Sequence, residues 1–91
     1  MIDIEFDPVK DQSNQLKHGL SLALATMLDW DAALVWLDDR FDDAEYRMIA
    51  LAPDMQTVYY VAFVDLDERY RIISLRKATR QEVLYYVKQY E

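Results

Sequence analysis

Ninety-one residues, 53% of them apolar, hold one domain and leave no room for a second. Only three residues are Gly or Pro and none is Cys, which excludes a disordered tail, a disulfide framework, thiolate metal sites and a cysteine nucleophile. The net charge of −7 argues against a uniformly basic nucleic-acid binder, so the distribution of charge matters more than its sum.

Ile2, Ile4 and Phe6 alternate with Asp3, Glu5 and Asp7, the period-2 pattern of a short half-buried strand. Asp7-Pro8 reads as a helix start, because the aspartate accepts from free backbone N–H groups and proline suits the first helical position. The helix is expected over Pro8 to His18 with Val9 and Leu16 inward, closed by Gly19 in the left-handed conformation. Ser21 caps a second expected helix through Leu22, Leu24, Ala25 and Leu28. The run Leu20 to Leu28 is interrupted by Ser21 and Thr26 and is far too short to cross a bilayer. With an acidic N-terminus in place of a basic leader, a cytoplasmic protein without membrane partners is the expectation.

Strands are predicted for Ala32 to Leu37, Glu45 to Ala52, Thr57 to Leu66 and Arg69 to Arg76. An acidic loop from Asp38 to Asp43 and the turns at Pro53-Asp54 and Asp67-Glu68 separate them. The third, apolar on both faces, is the candidate central strand. Thr79-Arg80-Gln81-Glu82 fits a capping box, and Val83, Leu84 and Val87 form a stripe that can lie on the sheet. Short connections favour antiparallel meander pairing. The expected fold is a single α+β domain, residues 1–91, with two N-terminal helices, a small antiparallel sheet and a C-terminal helix.

Charge divides the chain. Residues 1–68 carry fifteen acidic groups against Lys10, Lys17, Arg40 and Arg47, a net −11. Residues 69–91 carry six cations against Glu82 and Glu91, a net +4. Such a basic end brings a phosphate chain to one edge, or is simply one of two solvated faces.

Three polar groups could carry chemistry. Asn14, Lys17 and His18 close the first helix; a lysine holds phosphate and a histidine exchanges protons, although cations there also meet the helix dipole for ~0.3–1 kcal/mol. Glu45 and Arg47 share a strand face as base and anchor, or as a surface ion pair worth under ~1 kcal/mol. In the strand from Arg71 to Arg76, strict alternation puts Arg71 with Ile73 and Leu75 on a buried face, where Glu45 is a candidate partner. Arg76 and Lys77, beside the N-terminus of the last helix, make a phosphate-binding corner. One histidine and irregular acidic runs give no convincing metal site, and no cofactor is expected.

Taken in order, Asn14-x-x-Lys17-His18-Gly19, Glu45-x-Arg47 and Arg71-Ile72-Ile73-Ser74-x-Arg76-Lys77-Ala78, with Glu82 and Tyr86 behind, resemble the BrnT family of bacterial toxins. The resemblance spans Phe6 to Tyr86. It implies a RelE-like fold, ribonuclease activity that blocks translation, and an antitoxin partner of the BrnA type. That partner is a ribbon-helix-helix protein through which the complex reaches DNA only indirectly. It also implies Lys17, His18, Glu45, Arg47, Arg71 and Arg76 as active-site residues, with Glu45 or His18 moving protons and Arg71, Arg76 and Lys17 stabilising the phosphate. Cleavage of this kind uses the RNA 2′-hydroxyl as nucleophile, so the protein supplies a base, an acid and cations. The competing reading is a non-catalytic module that binds only a protein.

Overall fold

The computed structural model describes residues 2–40 and 46–90. Five strands, β1 (Asp3–Phe6), β2 (Leu34–Leu37), β3 (Arg47–Pro53), β4 (Val58–Asp65) and β5 (Arg69–Lys77), form one sheet in the order β1-β5-β4-β3-β2. The α-helices are α1 (Pro8–His18) and α2 (Arg80–Gln89). The α+β class and the meander from β2 to β5 follow the sequence reading, and β4 is the middle strand.

Two expectations about the sheet and the N-terminal helices fail. The sheet is mixed, because β1 pairs parallel with β5. After β1 the chain passes through α1 and enters the sheet again at the opposite edge, so β1 reaches β5 without a hairpin and a parallel pair results. The second N-terminal helix is instead a 3-10 helix, Leu22–Met27, followed by another at Trp30–Ala32. Their Ser21 and Asp29 caps and i→i+3 backbone bonds satisfy the backbone of these short segments.

The first sheet face carries the core. Leu22, Ala25 and Leu28 pack on Ala50, Ala52, Tyr59, Val61, Phe63, Ile72 and Leu75. Trp30 meets Phe63 and Tyr70 edge-on, at 5.3 and 5.0 Å between ring centroids, while its indole N–H donates to the Ala25 carbonyl. Each fully buried large side chain contributes roughly 1.5–3 kcal/mol.

α1 lies beside β5 at the sheet edge, so little of it is covered. Val9 and Leu16, expected inward, are 71% and 89% exposed. The helix buries Asn14 instead. Its amide nitrogen donates to the carbonyls of Leu20 and Leu75, and its oxygen accepts from the Leu75 N–H, at 2.8 to 3.0 Å. One side chain thus stands in for the strand that β5 lacks beyond the end of β1. Asp11 supports the same joint by accepting from the Leu22 N–H and the Ser21 hydroxyl. The Leu22 N–H is the main reason its carboxyl lies below the ordinary range.

A β-bulge corrects the alternation of β5. Phe63 pairs with Ile72 and Ala62 with Ser74, leaving Ile73 as the extra residue. Ile72 and Leu75 therefore both enter the core, and Arg71 falls on the second face, away from Leu75.

Candidate functional site

The second sheet face is where the polar groups gather. Glu5, Arg71, Val64 and Arg47 are successive cross-strand neighbours from β1, β5, β4 and β3. Arg71 Nε donates to Glu5 Oε2 at 3.0 Å, and Arg69 pairs with the same carboxylate. The Arg71 hydrogen bond is the largest influence holding the Glu5 carboxyl below its ordinary range, against the opposing cost of desolvation. Two guanidiniums thus share one carboxylate, with Arg47 two strands further along the same row. Glu5 is one partner of Arg71; Glu45, the candidate partner from the sequence, lies outside the described residues.

Asp38 borders the row beyond Arg47, its N–H donating to the Arg47 carbonyl at 2.8 Å. Its buried carboxylate receives two 2.8 Å hydrogen bonds from the Arg40 guanidinium, which lower its pKa most, with a smaller effect from the Arg47 charge. Asp38's charge is thus met chiefly by Arg40.

α1 supplies the other wall. Gly19 does close the helix, at φ 70°, and Lys17 and His18 stand on its last turn as expected. A depression of about 330 Å³ takes in Glu5, Lys10, Arg47, Arg71 and Ile73 among its walls. A second, of about 360 Å³, is lined by Lys10, Asn14, Lys17, His18, Ile73 and Ser74. They share Lys10 and Ile73. Lys17, His18, Arg47 and Arg71, from three elements, are therefore brought to adjoining hollows. Among the described residues no ion pair holds Lys10, Lys17 or His18.

Sequence reasoning missed Lys10, Glu5 and Arg69. For Lys10 a signal existed: it lies seven residues before Lys17, two turns along the same helix face. For Glu5 and Arg69 none did, since their meeting depends on the parallel β1–β5 register.

Arg76 is placed differently. Its guanidinium makes a bidentate pair with Glu82, at 2.8 and 3.0 Å, and stacks 4.0 Å from the Tyr60 ring. Glu82 is also the second half of the expected capping box, accepting from the Thr79 N–H while its own N–H donates to Thr79 Oγ1. The corner expected to take phosphate thus already holds a carboxylate of the chain. That pairing raises the Arg76 pKa and lowers that of Glu82. Lys77 is exposed at the end of β5.

A larger groove of about 580 Å³ lies between α2 and the sheet, lined by Trp36, Leu51, Thr79, Gln81, Glu82 and Tyr85. It is mainly apolar and contains none of the clustered cations. The α2 stripe expected on the sheet covers it poorly: no α2 residue is buried, and Leu84 and Val87 are exposed.

Among the described residues, no group of three His, Asp or Glu is placed to hold a metal ion, and no helix is long and apolar enough to cross a membrane. The family model described as "Ribonuclease toxin, BrnT, of type II toxin-antitoxin system" matches residues 6–82. That span takes in every cation lining the two depressions. No curated protein matches the chain.

Proposed function

The chain belongs to the BrnT family of ribonuclease toxins of type II toxin–antitoxin systems, and from that premise we propose that it is a metal-independent endoribonuclease whose RNA lies along the second sheet face. The observation that carries this reading is the convergence of Lys17 and His18 from α1, Arg47 from β3 and Arg71 from β5 on two hollows joined at Lys10. Arg71 has a stabilising partner in Glu5, but no ion pair among the described residues draws Lys10, Lys17 or His18 to the same hollows. A phosphodiester chain, with one negative charge per nucleotide, is a ligand of matching chemistry.

In this reading the RNA 2′-hydroxyl loses its proton to a base and attacks the adjacent phosphorus. The 5′-oxygen leaves with a proton from an acid, giving a 2′,3′-cyclic phosphate and a 5′-hydroxyl. His18 or Glu45 moves the protons. Arg71, Arg47, Lys17 and Lys10 stabilise the extra charge on the pentavalent phosphorus. Arg71, held by Glu5, is pre-oriented for this at the cost of part of its charge. Arg76 serves the site through position, because Glu82 already compensates it, and Lys77 offers an exposed contact for the RNA backbone. Translation stops as messages are cut, and a ribbon-helix-helix antitoxin of the BrnA type neutralises the toxin. RelE-like architecture, a cytoplasmic location and contact with DNA only through that antitoxin belong to the same proposal.

The test is induced expression with primer-extension mapping of cellular RNA. New RNA 5′ ends with the native protein, lost in Arg71→Ala and His18→Ala, are the expected result. Growth arrest without new ends would refute the nuclease. Undiminished cleavage in both variants would refute the site. One observation favours a non-catalytic, protein-binding member: Arg71 and Arg76 are both already engaged by carboxylates. That reading predicts arrest or repression with intact RNA.

A further inference from the structure

The open edge of the sheet is unlike the rest of the surface. Among the described residues β2 has one strand neighbour, β3, and its sequence is Leu34-Val35-Trp36-Leu37, with no charge, Pro or Gly to discourage pairing. Val35, Trp36 and Leu37 are 44%, 40% and 49% exposed. The Asp38 N–H donates to the Arg47 carbonyl, and the ladder alternates from there. The backbone groups of Leu34 and Trp36 therefore point to β3, and those of Val35 and Leu37 point outward.

Both faces beside this edge are apolar. Trp36 leads into the groove it shares with Leu51 and Tyr85, and Val35 and Leu37 form a second exposed row. An added strand would therefore seat side chains on both sides of the sheet. The flanks of the edge are acidic: Asp29 and Asp31 precede it and Asp39 follows it, all exposed.

We propose that the outer edge of β2 is the docking strand for an extended apolar segment flanked by lysine or arginine, carried by the protein partner. The identity of that partner as the antitoxin rests on the reading above; the edge chemistry does not. Charge decides between the two available occupants. A second copy would pair edge to edge but would bring acidic flanks against acidic flanks on a chain of net charge −7. A basic-flanked segment gains the same backbone bonds with attraction at both ends.

The probe is a short peptide of alternating Val and Thr with two lysines at each end, set against a twin bearing glutamates. Amide exchange of the full chain is followed residue by residue. The lysine peptide is expected to slow exchange at Val35 and Leu37 at least about tenfold, and to bind at least about tenfold more tightly than its twin at low salt. Val35→Pro, which removes an outward N–H and leaves the β3 ladder intact, is expected to weaken binding about tenfold. If that variant fails to fold, Asp31→Lys with Asp39→Lys provides the check, since it should reverse the preference between the twins. RNA cleavage should be unchanged in all of these variants, so loss of the nuclease reading and loss of this one are distinguishable. Unchanged exchange at Val35 and Leu37 under millimolar lysine peptide, or equal binding of the twins, would overturn the proposal. Concentration-dependent protection of these amides in the protein alone, abolished by Val35→Pro, would overturn it in favour of a second copy.

Discussion

The two α-helices treat the charges beside them in opposite ways. α1 is joined to β5 through one buried amide, and its exposed length offers Lys10, Lys17 and His18 to the hollows. α2 has no fully buried residue and is held at its ends. Glu82 grips Arg76 at the first turn, and the Tyr86 and Tyr90 hydroxyls donate to the Ala32 carbonyl near the last, at 2.7 and 2.5 Å. A helix fixed by a polar joint keeps its cations free for a ligand. The other fixes itself by consuming a cation.

That contrast can be tested in order of expected effect. Arg71→Ala removes the cation central to the row and should lower RNA cleavage 10²–10³-fold, about 3–4 kcal/mol of transition-state stabilisation, measured as initial rates on a defined RNA. Asn14→Ala strips the partners from both backbone groups of Leu75 and should cost about 2–3 kcal/mol in urea unfolding. A variant as stable as the native chain would show that α1 is held by something else. Lys10→Ala should leave stability unchanged and reduce cleavage about tenfold, because Lys10 joins the two hollows without contributing to the core.

The smallest effect is on α2. Glu82→Gln should cost about 1 kcal/mol at neutral pH and should flatten the acid limb of the stability curve. The sign follows from its depressed pKa in the fold. The native pair contributes fully above the ordinary carboxylate value of 4.5 and is lost as pH falls through the lower folded value. An acid limb identical in Glu82→Gln and native chains, read by circular dichroism, would show that Arg76 does not hold α2.

Local signals were legible where a residue acts on its neighbours. The Asp7 cap, Gly19, the Thr79–Glu82 capping box and the β4 run each declared themselves by spacing. Lys17, His18, Arg47 and Arg71 were singled out by their residue types, and all four line the two hollows. What failed depends on tertiary placement. Val9 and Leu16 have helical spacing, but α1 sits at an edge with little to cover them. Ile73 breaks alternation because of a pairing choice made by β4, and Arg71's partner Glu5 comes from a strand whose parallel docking no short-range pattern encodes. Arg76 was read as available because the same glutamate was credited only with capping.

The bulge has a consequence for the length of the chain. Without Ile73, Phe63 would still face Ile72 and Ala62 would still face Ser74, and Leu75 would keep its place in the core. The sheet thus carries one residue more than its pairing requires. That surplus residue is, with Lys10, a wall common to both hollows, set where an added residue bends and twists its strand. The shape of the groove is therefore spelled in a count, and a chain shortened by that single position would keep its hydrophobic pattern in phase while straightening the surface on which RNA is proposed to lie.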